Sequence, residues 1–280
     1  MNCTICAAVT QVPEATKFPT LNRGKLQFQP VLTTPMSSRK SALLLGATGA
    51  VGKKLLAELL AHDEWCKIGE YGRRVTALEN LPPGQREGRL EQKVIDFENI
   101  EAAGLKDGQW DVVFVTLGTT RAQAGSAEMF EKIDREYVVN ACRAAKSDNP
   151  AFQQRLVYLS SAGASATSPF LYPKSKGLTE LALARLGYSD TIVFRPGFLR
   201  GAERPQKRIG ETLLGYLTGA LSHVTADLEI WIPVLARSMV NAGRLGSSGL
   251  PPDVGASKAG EDGARFTLLG NKGANILGRI

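Results

Sequence analysis

Residues 42–60 read ALLLGATGAVGKKLLAELL, and the order of features in this stretch decides the fold class. The run Ala42–Leu45 has the length and apolarity of a buried strand. Past Gly46-Ala47-Thr48-Gly49-Ala50-Val51-Gly52, the residues Val51, Leu55, Leu56, Leu59 and Leu60 recur at helical spacing on one face. Alone, such a glycine spacing describes an ordinary loop; between a strand and a helix it describes an anion cradle. The chain must turn tightly, a Cβ would hold a pyrophosphate off the backbone, and the last glycine lets the helix lie close on the strand. The N–H groups of the first helical turn have no intrahelical acceptor and sit at the positive end of the helix dipole. Gly46, Thr48, Gly49, Ala50, Val51 and Gly52 therefore form the candidate binding turn for the pyrophosphate of a dinucleotide.

The alternation continues outward. Short apolar runs near Ile68–Tyr71, Lys93–Phe97, Asp111–Leu117, Arg155–Ser160 and Thr191–Arg195 alternate with helical stretches, notably Ala127–Lys146 with Phe130, Ile133, Tyr137, Val138, Ala141 and Cys142 at helical intervals. This predicts an α/β fold, a doubly wound parallel sheet covered by helices. Beyond Pro196 the pattern weakens into helices near Gly210–Leu221 and Val234–Arg244 and a Gly/Ser/Pro-rich stretch, Gly246–Gly263, expected to be a mobile loop. A single domain is expected over 41–280, with 197–280 supplying a small substrate or lid region. Residues 1–40 lack periodicity and are expected to be an N-terminal extension, disordered or targeting. Pro13, Pro19 and Pro30 oppose the amphipathic helix of a mitochondrial presequence, and Met36, opening MSSRK, is an equal candidate for the start of translation.

Composition removes other classes. A chain of 280 residues, 43% hydrophobic and 22% charged, can bury a sizeable core, so collagen-like and wholly disordered readings fall away. No apolar run is long enough to span a bilayer, so any membrane contact is expected to be peripheral. The net charge is +7, but residues 1–40 hold Lys17, Arg23, Lys25, Arg39 and Lys40 against Glu14 alone. The small excess left elsewhere, with no basic stripe interleaved with aromatics, argues against nucleic acid as a partner. Cys3 and Cys6 form a CxxC without a second pair, and Cys66 and Cys142 fall in helical or core-like segments, so neither metal nor disulfide is expected.

Cofactor choice is read at the end of the second strand, where an NAD-binding fold usually carries an acid for the ribose 2′-hydroxyl. Here that strand ends in Tyr71-Gly72-Arg73-Arg74. Two guanidinium groups can clamp a 2′-phosphate by charge-assisted, forked hydrogen bonds, which favours NADP(H). A solvated arginine pair is the bland alternative, and Glu70 would favour NAD if the strand ended earlier. Asp96, read as closing the third strand, could accept from an adenine amino group or form a turn. Leu117, Gly118 and Thr119 end the fourth strand, where a glycine lets the backbone pass close to the cofactor. Pro196, following the last of these strands, is counted to the same cofactor site.

Acid–base chemistry is read from Tyr172-Pro173-Lys174-Ser175-Lys176, which begins a helix with Pro173 in its first turn. Residues four apart share a helix face, so the phenol of Tyr172 and the ammonium of Lys176 can point into one site. A nearby cation favours the phenolate and brings a tyrosine toward useful proton exchange. Ser160 and Ser161 end the preceding strand, on the edge where open α/β sheets bind ligands. A hydroxyl there could hold a substrate carbonyl; both serines are candidates, and the twelve-residue spacing to Tyr172 favours Ser160.

Together these segments resemble the atypical short-chain dehydrogenase/reductases, in the branch that holds the Tat-interacting oxidoreductase-like proteins and fungal mitochondrial-outer-membrane members. The resemblance runs from about Ser41 to Ile280 and rests on GATGAVG, YGRR, VIDF, LGTTRAQAG, Asp134-Arg135-Glu136-Tyr137, LSSAGA, YPKSKG, Phe194-Arg195-Pro196-Gly197 and LLGNKGANILG. It implies a Rossmann domain that binds NADP through Gly46, Gly49, Gly52 and Arg73, with Ser160, Tyr172 and Lys176 as the triad. For the fungal branch it also implies peripheral attachment to the mitochondrial outer membrane; a cytoplasmic location is the alternative. Residues 1–40, Pro82–Arg89 and Gly246–Gly263 depart from the pattern. The expected function is NADPH-dependent hydride transfer on a small-molecule carbonyl or alcohol, with apolar pocket walls from Phe198, Leu199, Leu213, Leu214, Tyr216, Trp231 and Ile232. The competing function is an NADPH-binding regulatory protein with little turnover.

Overall fold

The computed structural model describes residues 39–81, 88–201 and 229–280. The apolar run of the opening stretch forms β1 (Lys40–Leu45), and its helical-spaced leucines form α1 (Ala50–Ala61). The first half of the sheet adds β2 (Trp65–Gly72), β3 (Leu90–Val94) and β4 (Val112–Val115). Then come α2 (Arg121–Ala124), α3 (Ala127–Glu131) and α4 (Tyr137–Ala145). Next are β5 (Arg155–Leu159), α5 (Leu171–Ala184), β6 (Asp190–Arg195) and the short β7 (Phe198–Arg200). After β8 (Glu229–Trp231) and α6 (Ile232–Leu245), the chain ends in β9 (Ser257–Glu261), β10 (Ala264–Gly270) and α7 (Asn271–Leu277).

Among the described residues, eight strands make one sheet in the order β3-β2-β1-β4-β5-β6-β10-β9. All neighbours are parallel except β9, which runs antiparallel to β10. The order reverses between β1 and β4, and the crevice beyond the carboxyl ends of those strands is where such sheets bind ligands. Alternation on the central strands builds two cores. Ala42, Leu44, Val112, Phe114 and Val157 face α1, α6 and α7. Leu43, Leu45, Val113, Val115 and Tyr158 face α4 and α5. Gly243 lets α6 lie against the centre of the sheet, since a Cβ there would stand 2.4 Å from the ring of Phe114.

Several expectations change. The third strand is Leu90–Val94 rather than Lys93–Phe97. It is an edge strand with mostly exposed or half-exposed side chains, whereas the apolar Ile95 and Phe97 are buried just past it. Asp96 therefore does not close a strand; it caps the short helix Phe97–Ala103 and accepts from the Glu98 N–H at 3.0 Å. The stretch Gly246–Gly263 is not an unstructured loop. It holds two single turns, Ser247–Gly249 and Pro252–Val254, then β9, and Gly255 and Gly263 take positive φ where the chain turns. The helix expected at 210–221, the pocket residues Leu213, Leu214 and Tyr216, and nearly all of the N-terminal extension lie outside the described residues.

Replacing Gly243 by valine is expected to lower unfolding free energy by about 1–3 kcal/mol through overpacking against Phe114. Urea denaturation of the purified variant reads this; an unchanged midpoint would contradict the close approach.

Candidate active site

Gly46 takes φ +97°, and a Cβ there would stand 2.7 Å from the Leu117 nitrogen. The turn is thus pressed against the end of β4, where the Thr116 N–H donates to the Leu45 carbonyl at 2.9 Å and its hydroxyl to the Gly46 carbonyl at 3.1 Å. A Cβ on Gly52 would lie 2.1 Å from the Gly46 carbonyl oxygen, so the helix packs directly on the turn. Gly49 is the residue before α1 and supplies no side-chain cap, and the first turn contains no acid. Its free N–H groups are left for an external anion. Thr48, Gly49 and Ala50 are half-buried on this rim, while Val51 is buried in the core.

At the end of β2, Glu70 is buried and its carboxylate is fully engaged. It accepts from the Thr76 N–H at 2.6 Å, the Thr76 hydroxyl at 2.7 Å and the Gln92 amide at 2.7 Å. It braces the turn that carries Arg73 and Arg74, both exposed, and is itself not free to meet a ribose. Asp96 is exposed nearby with one oxygen in its cap.

Tyr172 and Lys176 lie on α5 as the spacing predicts, Tyr172 half-buried and Lys176 buried. The Lys176 ammonium donates to Asp134 Oδ1 at 3.1 Å and to the Tyr158 hydroxyl at 3.2 Å, and stands 5.9 Å from the centre of the Tyr172 ring. Burial alone would push this ammonium down; Asp134 first, then Tyr158 and Tyr172, more than reverse that and hold it well above the ordinary lysine value. With its folded value raised, the group contributes stability fully below the ordinary lysine range and loses it only as pH climbs through the raised value, so the pair persists across neutral pH. Asp134 is wholly buried, and its Oδ2 has no hydrogen-bond partner.

Asp134 is the site residue whose role the spacing did not reveal. The helical stretch 127–146 is interrupted by one π-turn, Lys132–Glu136, and Asp134 is carried on that turn. Such turns recur at functional sites. Gly118 allows the approach: a Cβ there would be 3.2 Å from Asp134 Oδ1 and 3.5 Å from Lys176 Nζ, and the Thr119 N–H donates to Asp134 Oδ1 at 3.3 Å. Leu117 and Gly118 thus link the glycine turn on one side to the lysine on the other.

The two serines separate. Ser160 Oγ donates to Glu180 Oε1 at 2.5 Å, and Glu180 is held by the fork of Arg195, with Nε at 2.8 Å. Ser161 makes only a local bond to the Ala162 carbonyl at 3.0 Å. Pro196 is buried, and its carbonyl accepts from the Ala162 N–H at 2.9 Å, tying the serine strand end to β6. Of the expected pocket walls, Ile232 is core, Phe198 is half-buried, and Leu199 and Trp231 are exposed.

Residues 46–212 match the family of NAD(P)H-binding domains, more than half of the chain. The chain belongs to this NAD(P)H-binding family. Its relatives include Protein HTATIP2 of Rattus norvegicus, 34% identical over 203 residues, covering 72% of this chain and 80% of that protein. They also include the mitochondrial Protein fmp52 of Aspergillus fumigatus, 33% identical over 216 residues, covering 75% and 89%. Among solved structures, a short-chain dehydrogenase/reductase of Saccharomyces cerevisiae superposes with TM-score 0.56 at 15% identity, covering 83% of this chain and 96% of that one. The Bordetella bronchiseptica enzyme WbmF in complex with NAD+ does so with TM-score 0.53 at 13% identity, covering 76% and 72%. The fold is accordingly Rossmann-like, and NAD(P)H is the cofactor class of the family. The glycine cradle and the free amides of the first helical turn fit that group.

Gly52→Val is expected to push the turn off α1, lowering the thermal midpoint and weakening NADPH binding at least about tenfold, because the branched side chain must displace the backbone at Gly46. Calorimetric titration of the folded variant checks this; full affinity would contradict the cradle.

Proposed function

We propose that the protein is an NADPH-dependent oxidoreductase that reduces a small carbonyl compound, or oxidises the corresponding alcohol, with Tyr172 as the proton-exchanging residue. The observation that carries this reading is the continuity of the two halves of the site. The backbone that abuts Gly46 at Leu117 abuts Lys176 at Gly118, so the cofactor turn and the acid–base pair share one wall.

Gly46, Thr48, Gly49, Ala50, Val51 and Gly52 would hold the pyrophosphate, Arg73 and Arg74 the 2′-phosphate that selects NADPH over NADH, and Leu117, Gly118, Thr119 and Pro196 the rim beyond. When bound, the nicotinamide supplies or accepts a hydride. The chain's own residues manage the proton. Tyr172 gives its phenolic proton to the developing alkoxide in reduction and takes it back in oxidation, and the Lys176 ammonium beside it stabilises the phenolate between turnovers. Asp134 keeps that ammonium charged in a buried place. Ser160 is committed to Glu180, so Ser161 is the hydroxyl proposed to hold the substrate oxygen. The region from Gly197 onward is proposed to complete the pocket.

The fungal relatives named mitochondrial support a mitochondrial location. The finer reading is peripheral attachment to the outer membrane; among the described residues no helix is long and apolar enough to cross a membrane. Carbonate extraction of isolated mitochondria is expected to release the protein, and retention in the pellet would overturn peripheral attachment.

Tyr172→Phe is expected to lower turnover of a carbonyl panel by about a hundredfold or more, read at the nicotinamide absorbance, while NADPH still binds. Unchanged turnover, or an unchanged phenotype in cells carrying the variant, would instead favour the NADPH-binding regulator. Arg73→Ala is expected to weaken NADPH more than NADH; equal losses would remove the 2′-phosphate clamp.

A further inference from the structure

Tyr158 lies on β5, between Val157 in one core and Leu159, and is wholly buried against α4 and α5. A buried phenol must find a partner, and this one accepts from the Lys176 ammonium at 3.2 Å. Burial pushes the phenol up, with Lys176 opposing, so it stays a neutral hydroxyl beside the catalytic lysine. An ammonium has three N–H bonds in a tetrahedral arrangement. On Lys176 one goes to Asp134 and one to Tyr158, and two directed bonds from different elements fix rotation about the terminal carbon–nitrogen bond.

We propose that Tyr158 is a positioning residue: its hydroxyl, with Asp134, locks the Lys176 ammonium so that the third N–H is left for the rim where Gly118 and Tyr172 stand. This rests on the oxidoreductase reading and deepens it. The groups facing Lys176 are all accounted for among the described residues. Asp134 comes from the π-turn, Tyr158 from β5, Tyr172 from its own helix and Gly118 from the end of β4. Glu180, one turn further along α5, is engaged with Arg195 and Ser160. Asp134 supplies charge and could be satisfied by a lysine in several rotations; only a second acceptor sets which rotation is kept.

The variant Tyr158→Phe keeps the ring and removes the hydroxyl. With NADPH and an aromatic ortho-quinone as probe substrate, kcat is expected to fall about tenfold with little change in KM or in NADPH affinity, since the lost bond acts through the lysine and not on either ligand. The alkaline limb of the kcat profile is expected to move to lower pH, because the buried ammonium has one acceptor fewer; a role in packing alone would leave that limb in place. In the wild-type protein, ¹⁵N-lysine spectra are expected to show a slowly exchanging ammonium signal that Lys176→Met removes and Tyr158→Phe weakens. Wild-type protein without such a protected signal overturns the proposal, whether or not the variant folds. A Tyr158→Phe enzyme with wild-type kcat and an unmoved alkaline limb, measured beside an inactive Tyr172→Phe, overturns the positioning role and leaves the oxidoreductase intact. Full activity in Tyr172→Phe overturns both.

Discussion

The start of α1 is a helix end left open. Serine, threonine, asparagine and aspartate are the usual side chains that satisfy a first-turn amide; a glycine in their place costs only roughly a few tenths of a kcal/mol and leaves that amide open. Here the position before the helix is Gly49, no acid follows in the first turn, and exposed Lys53 and Lys54 come next. Each of these choices disfavours the isolated helix end, and each favours an anion against it. The surrounding contacts keep the opening in place: Thr116 braces the Gly46 carbonyl from β4, and Gly52 holds the helix down on the turn. The crevice between β1 and β4 therefore opens on amides suited to an anion, as the phosphate-binding role proposed for this turn requires.

A second electrostatic constraint lies on the other side of Leu117 and Gly118. Placing a lysine ammonium in the interior is costly unless an opposite charge and further acceptors meet it. Asp134 and Tyr158 do so, from a π-turn and a central strand respectively. Because three elements must converge on one nitrogen, the position of that nitrogen is better defined than a helix-surface lysine could be. Beneath it, the Arg195 fork on Glu180 and the bond from Ser160 fasten α5 to the ends of β5 and β6. The result is a wall tied to the sheet that carries Tyr172, whose ring lies 5.9 Å from that of Phe130.

What was legible in the sequence was local. GATGAVG does lie between a strand and a helix, Tyr172 and Lys176 do share α5, and the alternation foretells the mostly parallel sheet with its covering helices, though not the order of its strands or the antiparallel β9. The residues that resisted reading depend on tertiary crossings. Asp134 looks like one more polar position on a long helix until a π-turn rotates it inward, and Tyr158 looks like ordinary core in an apolar strand. Spacing favours Ser160 over Ser161 but does not show the bond from Ser160 to Glu180 across on α5. The edge strand β3 escapes the apolar pattern because exposed edges lose that signal, and the glycines Gly255 and Gly263 suggest looseness in sequence but serve turns around β9.

The most direct measurement is calorimetric titration of well-folded protein with NADPH and with NADH. NADPH is expected to bind saturably and more tightly than NADH, with Gly52→Val abolishing most of the heat. Association of neither nucleotide with folded protein would contradict the assignment of the open helix end to a dinucleotide, and with it the role given to Tyr172.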